Sequence, residues 1–393
     1  MIPKGFDSIA KIDIDALIEN EVRESRTIEY KSELPGNSDK DKREFLADVS
    51  SFANAAGGDL IYGVAEAEGI PQKAIGLSGD MDAEIRRLDA IIRTGLEPRI
   101  AGIRMRPVDG FEKGPVLLIR IPKSWAAPHL VSFKNLSRFY TRNSAGKHQM
   151  DVTEIRAAFL QSEAVVERMK RFRDERLGRI IANETPVPMS EGAKLILHIL
   201  PISSFTSESS FDVSVLRERT QAYFAPIGCS GWNHRYTLDG LVTYDTFGTD
   251  TYTYALIFRK GEIEAVNTNF LIERDGRRMI PSTGYEKFTI EAVLNYFMAL
   301  KSIEIPSPVA LFVCLTGVLN VYMGVNPLYM SHGDPIDRDT LVLPEVIIER
   351  HERISNEQEV AKVLRPIFDA VWNACGYERS FNFDEEGKWK PRR

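Results

Sequence analysis

Glu24 and Glu29 stand five residues apart, with Lys31 two further on, in the run Glu24-Ser25-Arg26-Thr27-Ile28-Glu29-Tyr30-Lys31. Two carboxylates beside an ammonium can hold a divalent cation and a phosphodiester together, because hard cations take carboxylate oxygens and phosphates take ammonium donors. The same side chains also describe a surface ion-pair network, worth roughly 0–1 kcal/mol and without chemistry. A second motif follows, Phe52-Ala53-Asn54-Ala55-Ala56-Gly57-Gly58-Asp59-Leu60-Ile61-Tyr62-Gly63-Val64, which reads as a helix closed by a Gly-Gly turn and then a buried strand.

The elements around these motifs are legible from periodicity. Residues 13–21 form a short helix with Ile14, Leu17 and Ile18 on one side, and residues 27–32 a strand whose period of two puts Glu29 and Lys31 on one face. Residues 33–42 are a polar loop with Pro35 and Gly36. Residues 43–55 are helical, with Phe45, Leu46, Val49, Phe52 and Ala53 as the apolar stripe. Residues 60–64 are a buried strand and residues 82–96 a helix built on Ile85, Leu88, Ile91 and Ile92. Strands are expected at 100–107, 116–121 and 138–142, the second nearly all apolar and so central. Asp151 opens a helix with Glu154 placed for a capping box, running on toward Arg179. Thr185-Pro186-Val187-Pro188 reads as linker. Beyond it come strands at 194–200, 252–258 and 262–270, helices at 289–300 and 357–372, and a surface loop at 330–340.

The bulk composition sets bounds. With 393 residues, 43% hydrophobic and 27% charged, the chain is globular and long enough for two domains. A net charge of −6 excludes a protein that attracts nucleic acid over its whole surface, so any such site is a local patch. Such a patch is present. Residues 123–150 contain no Asp or Glu but carry Lys123, Lys134, Arg138, Arg142 and Lys147, interleaved with Trp125, Phe133, Phe139 and Tyr140. Cations contact phosphates and aromatic faces stack on unpaired bases. Lys40, Lys42 and Arg43 add a second basic edge. The expected nucleic-acid contacts are Lys42, Arg43, Lys134, Arg138, Tyr140, Arg142 and Lys147. The competing reading is a solvated loop whose aromatics are core.

Three dispersed cysteines (Cys229, Cys314, Cys375) fit a reducing cytosol, and the absence of an apolar signal core points to a cytoplasmic protein. The longest apolar run, 307–325, is broken by Pro308, Gly317, Asn320 and Gly324, so no membrane span is expected. There is no Walker motif, zinc spacing or nucleophile elbow, which leaves ATP binding with little direct support.

The ordered set Glu24-Ser25-x-x-x-Glu29-Tyr30-Lys31, Phe52-Ala53-Asn54-x-x-Gly57-Gly58, Gly63-Val64 and Phe139-Tyr140-x-Arg142-x-Ser144 resembles the Schlafen family, in its bacterial AlbA-type domain. The resemblance covers about residues 13–159. It implies a Schlafen-type N-terminal domain with a mixed sheet and flanking helices at 1–162; with the helical linker at 163–189 and the second α+β domain at 190–393 that the composition and periodicity give, the fold class is α/β (α+β). Animal members are RNA endonucleases acting on tRNA and rRNA through three acids. The first two map to Glu24 and Glu29. Where nuclease members carry aspartates after the Gly-Val strand, this chain has Ala65-Glu66, so Glu66 takes the third place, with Asp59 and Glu68 as substitutes.

By that resemblance Glu24, Glu29 and Glu66 bind Mg²⁺ or Mn²⁺, and Lys31 helps place the scissile phosphate. The expected activity is a metal-dependent endoribonuclease acting on tRNA or other structured RNA, in phage defence or stress response. Larger members carry two copies of the core, so a homodimer is expected, with the C-terminal domain as the seat of a trigger protein or ligand. The alternative is a non-catalytic DNA- or RNA-binding, ATP-responsive transcriptional regulator.

Overall fold

The computed structural model describes residues 1–391 apart from 145, 207–209, 230, 249 and 326–332. The chain divides into two compact units, Met1–Val166 and Glu167–Arg393. Both are mixed α+β, and seven α-helices are present among the described residues.

The first unit contains strands β1 (Ile28–Lys31), β2 (Gly57–Tyr62), β3 (Val64–Ala67), β4 (Ile70–Ala74), β5 (Leu96–Glu97), β6 (Arg104–Val108), β7 (Val116–Pro122), β8 (Leu130–Phe133), β9 (Leu136–Asn143) and β10 (Gly146–Gln149). Its helices are α1 (Lys11–Glu19), α2 (Asp39–Ala53), α3 (Met81–Gly95) and the first half of α4 (Val152–Ile181). The main sheet runs β1-β2-β7-β6, with β1 parallel to β2 and the rest antiparallel. The apolar β7 is interior, and β1, which carries Glu29 and Lys31, is an edge strand. One sheet face packs Leu60, Tyr62, Leu117 and Ile119 against Phe45, Leu46, Val49 and Phe52 of α2. The other packs Ile28, Tyr30, Ile61 and Leu118 against Ile14 of α1. A second sheet, β10-β9-β8-β5, and the hairpin β3-β4 complete the unit.

Two local expectations change. Helix α2 starts at Asp39 rather than at 43, because Ser38 caps it by accepting the Asp41 N–H at 3.1 Å; residues 39–42 are therefore not loop. Gly57 and Gly58 do not end the helix, which stops at Asn54; they open β2. Gly57 has φ +72°, and a Cβ on Gly58 would run into the Phe52 ring and the Thr27 carbonyl. Close backbone packing demands these glycines. The capping box at α4 is present: Asp151 N–H donates to Glu154 Oε2 at 3.0 Å and Glu154 N–H to Asp151 Oδ1 at 2.8 Å.

The second unit is built on β11 (Lys194–Pro201), α5 (Val213–Thr220), β12 (Asn233–Tyr236), β13 (Gly240–Phe247), β14 (Asp250–Phe258), β15 (Ile263–Asn267), β16 (Ile272–Arg274), β17 (Arg277–Pro281), α6 (Ser282–Ser302), β18 (Val309–Thr316), β19 (Tyr322–Gly324), β20 (Thr340–Val342), β21 (Val346–Ile348) and α7 (Glu357–Ala374). An antiparallel sheet runs β12-β13-β14-β15-β11-β18-β20, with β21 also on β18. Apolar residues of α6 and α7 cover one face, and Leu177 and Ile180 of α4 cover the other. Part of the loop expected at 330–340, residues 330–332, lies outside the described residues.

Two buried acids hold this unit together. Glu264 on β15 accepts Arg176 Nε and Nη2 at 2.7 and 2.8 Å, Tyr254 Oη at 2.8 Å, and stands 3.1 Å from His198 Nε2. Glu286 on α6 accepts the indole N–H groups of Trp372 and Trp389 at 2.9 and 2.8 Å and the Ser380 hydroxyl at 2.7 Å.

Candidate active site

Strand β1 presents Glu29 and Lys31 to the α2 side of the sheet, as the alternation requires. Their charged ends meet at 2.6 Å. Glu29 is 7% exposed. On its other side Arg142 Nη1 approaches Glu29 Oε2 at 2.9 Å. That guanidinium is stacked on the Phe52 ring at 3.7 Å, and its Nε and Nη1 lack an aligned hydrogen-bond acceptor. Burial works against the Glu29 charge, but Lys31 and Arg142 outweigh it and hold its carboxyl below the usual carboxylate range.

Glu24 precedes β1. Its Oε1 accepts the Tyr30 N–H at 2.9 Å, and its backbone N–H donates to Gly69 O at 2.7 Å. The β3-β4 turn thereby brings Glu66 near: Glu66 Oε2 accepts the Gly69 N–H at 2.7 Å. Glu24 is half-buried, and burial together with the like charges of Glu29 and Glu66 raises its carboxyl above the usual range. The three expected acids are thus electrostatic neighbours. They are not a closed ligand set, since no three His, Cys, Asp or Glu side chains converge as a metal cage among the described residues. Mg²⁺ commonly takes only one or two protein carboxylates and completes its shell with water and substrate oxygens; Glu24 and Glu29 are donors of that kind, with the two Glu29 oxygens met here by Lys31 and Arg142.

Of the two substitutes for Glu66, one is committed to other partners and the other, like Glu66 itself, is exposed. Asp59 is fully buried, bonded to Arg120 at 2.7 and 3.0 Å and to the Ile2 N–H, on the sheet face opposite Glu29. Glu68 is exposed in the turn at φ +54°.

One residue the motifs did not mark belongs to this charged cluster. Asp48 of α2 is 2% exposed, and its Oδ1 lies 2.5 Å from Lys147 Nζ. Burial, reinforced by the Glu29 charge, pushes its carboxyl up to about 6. Lys147 also pairs with the exposed Glu44 one turn earlier on α2. Asp48 occupies a position of the apolar stripe between Phe45 and Phe52. A charged residue at a stripe position was the signal available in the sequence.

The expected nucleic-acid contacts divide. Lys134 is exposed, paired with Asp39 and near the Phe133 ring. Arg138 is exposed and donates to Gln149 at 2.9 Å. Lys42 and Arg43 are half-exposed on α2. Tyr140 is half-buried against the α2 core, so its ring is packing surface first. Arg142 differs from these: its side chain is 2% exposed and lies against Glu29 as a counterion rather than at the surface. Asn54 of the Phe-Ala-Asn motif is structural. Its amide donates to the carbonyls of His129 and Tyr140 at 3.1 and 2.8 Å and accepts the His129 N–H at 2.7 Å, pinning β8 and β9 to the end of α2.

Residues 24–151 match the family model described as Schlafen, AlbA_2. Solved structures similar to this chain include the N-terminal domain of a RecG-related protein from Nitrosomonas europaea, 25% identical, covering 35% of this chain and 92% of that one with a TM-score of 0.26. They also include the DIP2311 protein from Corynebacterium diphtheriae, 15% identical, covering 35% of this chain and 29% of that one with a TM-score of 0.25. No curated protein matches the chain.

Proposed function

Proceeding from a match to the Schlafen, AlbA_2 model at residues 24–151, we propose that this protein cleaves RNA phosphodiesters at the Glu24–Glu29–Lys31 cluster with a divalent cation, Mg²⁺ or Mn²⁺. The observation that supports the reading is the placing of Glu24, Glu29 and Glu66 around one strand end: Glu24 Oε1 accepts the Tyr30 N–H, Glu66 closes the adjoining turn on Gly69, and burial, with the Glu29 and Glu66 charges after it, raises the Glu24 carboxyl, a charge that a bound cation would offset. When bound, such an ion offsets charge on the phosphoryl oxygens and lowers the pKa of a bound water. The protein's own groups do the rest. Lys31, tied to Glu29, meets a phosphate oxygen, and Arg142 fixes the Glu29 carboxylate from behind. The exposed Lys134 and Arg138 contact the strand. Transfer RNA is the first substrate to test and plasmid DNA the second, in a cytoplasmic setting of phage defence or stress response. A homodimer is part of the same proposal, and elution as a monomer at micromolar concentration would count against it. The second unit is the proposed seat of a trigger protein or ligand.

A second reading, a non-catalytic nucleic-acid-binding regulator, is favoured by one observation: Lys31 and Arg142 already neutralise Glu29. The deciding experiment incubates the protein with total tRNA and plasmid DNA, with Mn²⁺ or EDTA, beside Glu24→Ala and Glu29→Ala. Metal-dependent RNA fragments lost in both variants support the nuclease. Intact RNA in every lane with a retained gel shift supports the regulator.

A further inference from the structure

Arg142 and Lys147 are register partners across the β9-β10 hairpin. Like charges directly opposite in a sheet repel, and here each cation is met by one buried carboxylate, Arg142 by Glu29 and Lys147 by Asp48. The two pairs differ in access. The Arg142 side chain is 2% exposed, that of Lys147 20%, and that of its second partner Glu44 63%. An ammonium has three donors, and Lys147 spends them on the buried Asp48 carboxylate, on the solvent-facing Glu44 carboxylate and, at 3.5 Å, on the Glu44 main-chain carbonyl. A solvent-facing carboxylate on an ammonium occupies the place a phosphate oxygen takes. Glu44 can leave by rotating into water; Asp48, enclosed by the helix and the hairpin, cannot.

We propose that Asp48 is a positioning residue for nucleic-acid binding: it holds Lys147 beside α2 so that the ammonium donates to a backbone phosphate in exchange for the Glu44 carboxylate. This rests on the reading that the first unit binds RNA. It makes a distinctive demand on sign. Removing an acid that acts only through bulk charge strengthens binding to a polyanion. Removing Asp48 must weaken it, because Lys147 loses its anchor.

The test is anisotropy of a fluorescein-labelled tRNA transcript with the full-length protein, in EDTA, over a range of KCl concentrations. Lys147→Gln is expected to weaken binding roughly five- to tenfold and lower the salt slope by about 1. Asp48→Asn should weaken it about threefold in the same direction, also with a lower slope, and cost nothing further in the Lys147→Gln background. Lys147→Arg should retain binding, and the surface change Glu44→Gln should tighten it. Binding by Asp48→Asn that equals or exceeds wild type, losses that add in the double variant, or no gain from Glu44→Gln would overturn the positioning role while leaving RNA binding intact. A wild-type protein that leaves the tRNA unbound would overturn both.

Discussion

Glu264 in the second unit and Asp48 in the first are both removed from water, yet the fold treats them in opposite ways. Glu264 receives two donors from Arg176, one from Tyr254 and the His198 ring, and these partners overcome its burial and hold its carboxyl down at about 2. Asp48 receives one ammonium, and burial pushes it up to about 6. Burial therefore does not by itself fix how a carboxylate ionises; the supply of donors does. A saturated acid is a fastening. An acid with fewer partners than its burial demands, as Asp48 is, stays easier to protonate.

The strongest way to break this contrast is Glu264→Ala, which strands the Arg176 guanidinium in the interior. About 3–5 kcal/mol should disappear from the urea unfolding free energy of the second unit, and an unchanged transition would refute the fastening role. Asn54→Ala removes three hydrogen bonds between α2 and the β8-β9 hairpin. It should cost about 2 kcal/mol, read as loss of amide-exchange protection at His129.

The pH dependences sharpen the contrast. The folded pKa of Asp48 is above its ordinary 3.8, so the fold retains a proton that the unfolded chain releases. That stability is complete below about pH 4 and falls as pH rises through about 6. Glu264 is depressed, so its contribution is present above its ordinary 4.5 and fades as pH drops toward 2. Asp48→Asn should accordingly stabilise the protein by about 1–2 kcal/mol at pH 7 and leave it unchanged at pH 4. A loss at pH 7 would reverse the assignment. At the small end stands Lys73→Ala. It breaks an ion pair whose partners are both about two-thirds exposed, and the melting temperature should not move.

Much of the framework was legible because it depends on local periodicity. The shared face of Glu29 and Lys31, the central β7, the Asp151–Glu154 cap and α4 follow from spacings of two and about four residues. The site was legible only in part. Glu24 and Glu29 lie in one motif, but Glu66 reaches Glu24 through the unanticipated β3-β4 hairpin. Arg142 looked like a phosphate contact because a basic residue among aromatics gives the same pattern whether it faces solvent or a buried acid. Asp48 escaped notice because its partner lies 99 residues away, on a hairpin whose closure only the fold reveals. In the second unit the same limit applies to Glu286, whose indole partners lie 86 and 103 residues downstream.

That last arrangement has an optical consequence. The protein has four tryptophans, of which Trp372 and Trp389 are buried on a common carboxylate and Trp232 is 38% exposed in the same unit. Trp125 alone reports from the first unit. Loss of the Glu286 junction moves two enclosed indoles into water at once, so a red shift in emission that persists in a Trp125→Phe, Trp232→Phe protein times the release of the C-terminal segment from α6. Fluorescence can thus follow the second unit while the first is titrated with RNA, with no attached dye on the protein.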